Sequence, residues 1–199
     1  MSHSFGLEAL VFDGDICPAS LAGYLEDSLA ESLLVDGVFC REAHARALQG
    51  APVGDLNRQT SALRLARESR EASLTMGRRF AALAGALHPG PALSGLARLE
   101  ELHHAVAFGY TLGILAIDPD PTVSAFIHQC VLNIVSAAQR LLPLWQIQAS
   151  QIVWDLKPAI LETVKQTRNT SFSAVCSFAH LPEMASMRHP CLPTRLFIS

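Results

Sequence analysis

Apolar positions along this chain recur at helical spacing in nearly every segment. No stretch alternates apolar and polar residues over strand length with β-branched enrichment. Ser4 to Phe12 carries a short apolar run ended by Asp13-Gly14-Asp15. Pro18 can open a second helix whose stripe is Leu21, Tyr24, Leu25, Leu29 and Leu33, and Asp36-Gly37 is expected to separate it from a third over Val38–Leu48. From Asp55 the amphipathic pattern runs through Leu56, Leu63, Ala66, Ser73, Met76, Phe80, Leu83 and Leu87. That exceeds ordinary helix length, so a break is expected near Thr60-Ser61. After His88-Pro89-Gly90-Pro91 come a short helix (Leu93–Leu102) and an apolar one (Ala105–Leu115).

The segment Pro121–Pro143 dominates the pattern. Asp120 suits the N-cap and Pro121 the first helical position, and Pro143 stops the run. Arg140 is its one permanently charged residue, and apolar residues fill most of its faces. Such a helix is expected to be surrounded by others. Thr122, Ser124, Gln129, Asn133, Ser136 and Gln139 would each need a partner in lipid, so a core helix accounts for the segment better than a membrane span. Leu144 to Val164 reads as a last long helix kinked at Pro158. The fold class is therefore all-α: a single-domain helical bundle with a buried central helix. Residues 1–168 form the core, and 169–199 form a tail with a short helix over His180–Met187. The helical pattern starts almost at the first residue, so the N-terminal element is expected to be incomplete.

Composition narrows the function. Half of the 199 residues are hydrophobic and 17% are charged, which supplies ample core and no case for disorder. A net charge of −3 argues against general affinity for nucleic acid or anionic membranes. The five cysteines are scattered without a C-x-x-C pair, as in a reduced cytoplasmic protein. No phosphate loop, nucleophile elbow or H-E-x-x-H helix is present. His103 and His104 are adjacent and so point to different helix faces. In the tail, Cys176, His180, His189 and Cys191 are chemically credible soft-metal ligands at no closed-site spacing. They carry the alternative reading of a helical metal- or small-molecule-binding protein.

Specific strings go further. S-H-S-F-G-L-E (Ser2 to Glu8), R-E-S-R-E-A-S-L-T-M-G-R-R (Arg67 to Arg79), H-H-A-V-A-F-G (His103 to Gly109), N-I-V-S-A-A-Q-R-L-L-P-L (Asn133 to Leu144) and the ending M-R-H…R-L-F-I-S (Met187 to Ser199) occur in this order. Together they resemble blocks of the urease accessory protein F family across essentially the whole chain. The resemblance implies a dimerising, non-enzymatic helical chaperone with no cofactor of its own, nickel and GTP being handled by partner proteins. Those partners would be the D- or H-type accessory protein, the nickel-carrying G-type GTPase and apo-urease. Carried over by position, Arg195, Leu196 and Phe197 of the tail and the polar residues Glu8, Glu68 and Arg70 become candidates for partner binding. The chain departs from the family where S-P-x-L-P-x-G-G would precede Ser2. It departs again where P-L-G-Q is Pro143-Leu144-Trp145-Gln146, and where H-E is His189-Pro190.

Overall fold

The computed structural model describes residues 3–177 and 179–198. Among them are eleven α-helices, a short 3-10 turn at His189–Cys191 and no strand. The helices are α1 (Leu7–Phe12), α2 (Leu21–Ala30), α3 (Ser32–Gln49), α4 (Gly54–Leu63), α5 (Arg67–Leu87) and α6 (Pro91–Leu96). They continue as α7 (His104–Ile114), α8 (Pro119–Leu141), α9 (Gln146–Asp155), α10 (Lys157–Asn169) and α11 (His180–Arg188). One hydrophobic cluster runs from Leu7 to Phe197, so the all-α, single-domain expectation holds.

The innermost contact is between α3 and α7. A Cβ at Gly109 would fall 2.0 Å from the Cys40 carbonyl oxygen, so the two backbones touch where the side chain is missing. Around that pair, α8 contributes Val123, Phe126, Ile127, Val131, Val135 and Ala138, all buried. Its enclosure is more one-sided than the apolar pattern implied: Ala125, Gln129, Leu132 and Ser136 lie exposed on the opposite face. By length and composition α8 is long and apolar enough to cross a membrane, but its buried face belongs to the bundle core.

Several boundaries differ from expectation for identifiable reasons. Asp36-Gly37 does not break the chain; α3 runs straight through it, because Gly37 is a packing site rather than a turn. A Cβ there would lie 3.0 Å from Thr167 Cγ2 and 3.2 Å from Ile127 Cδ1. The break between α2 and α3 falls instead at Glu31, with φ −114° and ψ −92°. Thr60 and Ser61 do not interrupt α4 either. The Thr60 hydroxyl donates to the Leu56 carbonyl at 2.8 Å, and the Ser61 hydroxyl meets His103 Nε2 at 2.9 Å. The chain leaves the helix at Arg64 and re-enters at Arg67. The apolar stripe predicted on α5 is buried only as far as Ala81, and Leu83 and Leu87 are exposed.

The tandem Asp-Pro pairs before α8 carried the same start signal twice, and the earlier one is used: Asp118 is the N-cap and Pro119 the first residue. Asp120 is drawn instead into an ion-pair node, accepting Arg41 Nη2 at 2.7 Å and a shorter bond from Arg168. Arg168, and then Arg41, hold the Asp120 carboxyl below the usual carboxylate range. This ties α3, α8 and α10 together. The helix after Pro91 stops at Leu96, short of the expected Leu102. The final long helix is two, α9 and α10, parted at Leu156 with Pro158 in the first turn of α10, where a missing N–H costs nothing.

Candidate docking site at the joined termini

Glu8 sits on the short helix α1, entered through Phe5 and Gly6, both in the left-handed region with φ 51° and 86°. That entry turns the Glu8 side chain inward, where only 5% of the residue remains exposed. A carboxylate buried this far must be matched by donors. They come from the other end of the chain. His189 Nε2 donates at 2.7 Å, and the backbone N–H groups of Leu196 and Phe197 donate at 2.6 and 3.2 Å. Bonds to an ionised acceptor are about twice as strong as neutral ones, so this carboxylate defines the path of the tail.

The tail bends at Leu196 and Phe197 where it crosses Glu8, which lets two successive N–H groups reach one carboxylate. Phe197 points in and is buried, with the Arg140 guanidinium of α8 4.6 Å from its ring centroid. Leu196 and Ile198 point out, and Arg195 is exposed beside them. Three of the six candidate residues, Glu8, Leu196 and Phe197, therefore meet at one point, and Arg195 adjoins it.

Glu68 and Arg70 lie elsewhere, in the first turn of α5. Glu68 is half-buried beside Arg67. Arg70 donates from Nη1 to the Arg64 carbonyl at 3.0 Å, which closes the α4–α5 break. The two groups of residues are linked through α11, which packs on both α1 and α5. Its Glu183 carboxylate accepts the Ala66 N–H and, at 3.2 Å, the Ser69 hydroxyl.

Glu183, Arg140 and the role of His189 were not visible in the sequence. Nothing in the string H-L-P-E marks a carboxylate that reaches 117 residues back along the chain. His189 was weighed with Cys176, His180 and Cys191 as a metal ligand. Its imidazole is fully buried and committed to Glu8, whereas the other three are exposed. Among the described residues, no group of three or more His, Cys, Asp or Glu side chains is arranged to hold a metal ion.

The adjacent histidines are structural. His103 is fully buried between Ser73 Oγ (3.0 Å) and Ser61 Oγ (2.9 Å), and its backbone N–H donates to Asn57 at 2.9 Å. Burial, with help from Arg64 and Arg70, pushes its pKa down to about 3. His104 sits among Phe80, Phe108 and Phe126, and burial lowers its pKa to about 4. His103 is closed off from solvent, whereas His104 is partly buried and lines a cavity beside Ser73 and Cys130.

A second exposed feature lies around α9. Trp145, Ile147 and Trp154 are 78%, 83% and 64% exposed, and Leu132 of α8 shares a groove with Trp154. Between α8 and α9 runs a groove lined by Leu132, Val135, Val153 and Trp154, with Lys157 Nζ 3.3 Å from the Trp154 ring centroid. Exposed tryptophans of this kind are enriched at the anchor positions of protein interfaces.

Comparison with known proteins places this arrangement. Residues 17–157 match the UreF family model. The whole chain aligns at 30% identity with 85% of "Urease accessory protein UreF" from Bradyrhizobium sp. (strain ORS 278). It aligns equally, at 30%, with 91% of the protein of that name from Lachnoclostridium phytofermentans. A protein of the same name from Picosynechococcus sp. is 31% identical over 77% of the chain. This all-helical bundle, whose buried Glu8 fastens Leu196 and Phe197 of its own tail, belongs to the UreF family of urease accessory proteins.

Proposed function

We propose that this chain is a cytoplasmic adaptor in urease maturation. It bridges the D/H-type accessory protein and the nickel-carrying GTPase to apo-urease and helps to gate GTP-dependent nickel insertion. It acts as a homodimer, hydrolyses nothing itself and uses no cofactor of its own; nickel is cargo and GTP belongs to the partner. The observation that carries this reading is the tail held over Glu8. A segment fixed by backbone bonds to a buried carboxylate presents Arg195, Leu196 and Ile198 outward in a set geometry. An exposed cation beside exposed apolar side chains on an ordered segment is a surface that another protein reads. The α8–α9 groove, with Leu132, Val153 and Trp154 in its lining, supplies a separate apolar face, suited to a second copy of the chain.

Glu8, Arg70 and Phe197 then act indirectly, by shaping the surface, while Arg195 and Leu196 touch the partner and Glu68 flanks it. Co-purification tests this division. Arg195→Ala and Leu196→Asp are expected to abolish capture of the D/H-type protein and of the GTPase while leaving the helical circular dichroism unchanged. Undiminished recruitment by both variants would remove the tail from the interface.

A further inference from the structure

Beyond Asp120, Arg140 is the only permanently charged residue of α8. It shares one face of that helix with Asn133 and Ser136, which stand at i and i+3 to its i+7. Facing this row is Arg79 of α5, and His3 closes one side from the N-terminal segment. Together they border a cleft of about 250 Å³, with Phe5 and Met76 as its apolar wall.

The polar lining is one-sided in its chemistry. Arg140 is oriented by the Phe197 ring, whose centroid lies 4.6 Å from its guanidinium carbon. Arg79 is exposed and makes no hydrogen bond or ion pair among the described residues. Asn133 Oδ1 already accepts Gln129 Nε2 at 3.0 Å, so the amide has N–H groups to offer the cleft. Ser136 adds a hydroxyl. Among the described residues no carboxylate borders the cleft, although the chain as a whole carries a net charge of −3. Burial, and then the positive charge of Arg79, holds the His3 imidazole below its ordinary range. The ring is therefore neutral at neutral pH.

The lining selects among anions. Two guanidinium groups beside a neutral imidazole match a doubly charged ligand better than a singly charged one. A phosphate monoester carries about −1.5 to −2 at pH 7 and presents three acceptor oxygens. Guanidinium forks fit phosphoryl oxygens two at a time. The cleft is smaller than the roughly 300–1,000 Å³ of drug-sized sites, so the body of the ester must be compact. Phe5 and Met76 offer that body an apolar surface.

We infer that this cleft binds a small phosphate monoester, with the phosphoryl group between Arg79 and Arg140 and the ester body against Phe5 and Met76. Asn133 and Ser136 complete the hydrogen bonds of the phosphoryl oxygens. The site is separate from the outward face of the tail and holds whichever protein that face recruits.

Phenyl phosphate is a suitable probe for the full-length chain, followed by phosphorus NMR line broadening and by calorimetry. One saturable site is expected. Arg79→Gln and Arg140→Gln should each weaken binding by about tenfold, the loss of one charge-assisted contact. Arg79 is exposed and packs on nothing that the fold needs, so unchanged helical circular dichroism in that variant separates binding from folding. Arg78 is its neighbour outside the lining and donates from Nη1 to the Glu100 carbonyl. Arg78→Gln should bind phenyl phosphate as the parent does. Benzoate should bind more weakly than phenyl phosphate, and phenol should not bind. Absence of saturable phenyl phosphate binding overturns the proposal. So does an equal loss in Arg78→Gln, which reduces the effect to general surface charge. Benzoate binding as tightly as phenyl phosphate overturns the choice of a dianion. Capture of an acidic peptide without any binding of phenyl phosphate gives the cleft to a protein side chain and overturns the small-molecule assignment.

Discussion

Glu8 and His189 stand 181 residues apart in the chain and 2.7 Å apart in the fold. Both are buried, so each is the other's principal compensation for leaving water. Removing either strands its partner. In a double-mutant cycle, Glu8→Gln and His189→Ala should be non-additive, with a coupling of about 1–3 kcal/mol in urea unfolding followed by circular dichroism. Additive losses would mean that the two contribute independently and that the pairing does not organise the tail.

Acid should weaken the fold before the carboxylates titrate. The folded-state pKa values of His103 and His104, about 3 and about 4, lie below the unfolded value of 6.5. The unfolded chain therefore binds protons that the native chain refuses. The stability contributed by keeping these rings neutral is complete above pH 6.5 and is lost progressively as pH falls towards 4. The urea midpoint should fall steadily over that window, with a slope approaching two protons. His103→Asn should remove about half of the slope. A flat profile between pH 6.5 and 4 would contradict the buried-neutral assignment.

The α3–α7 contact leaves no room for a methyl group. Gly109→Ala places a carbon 2.0 Å from the Cys40 carbonyl oxygen, and because backbone lies on both sides neither helix can yield by a rotamer change. Overpacking of this kind costs about 1–3 kcal/mol and occasionally more. The expected outcome is a Tm lower by several degrees. A variant as stable as the parent would show that the helices can separate freely.

Association through the α8–α9 face has a simple readout. Light scattering on the eluted protein should give twice the 21.5 kDa chain mass, and Leu132→Asp with Trp154→Asp should give the single-chain mass at unchanged helicity. Dimers that persist in the double variant would place self-association elsewhere.

What could be read from the sequence, and what could not, follows from the range of the interactions. Period and proline placement are local, so the helices around Leu56, Ala105, Val131 and Ile160 were predictable from their own neighbourhoods. Boundaries set by tertiary contacts were not. Gly37 looks like a turn until Thr167 and Ile127 are found against it, and the choice between two Asp-Pro starts is settled by Arg41 and Arg168. The site divides in the same way. Glu8, Leu196 and Phe197 could be singled out from family-like strings at the two ends of the chain. That they touch could not, because nothing local to Glu8 encodes His189. Arg70 was singled out in the same way, and that its guanidinium also spans the α4–α5 break to the Arg64 carbonyl could not be read from the string.

The chain has only two tryptophans, Trp145 and Trp154, and both flank α9 on the surface. Only Trp154 borders the α8–α9 groove, while Trp145 stands at the start of the helix outside its lining. Unfolding of the core should pass almost unseen in the emission maximum, since both indoles are already in water. Burial of the α8–α9 groove against another molecule should shift the Trp154 part of the emission to the blue and protect that part from acrylamide. Untagged, unlabelled protein can therefore report its own assembly in a cuvette, while its folding must be followed by other light.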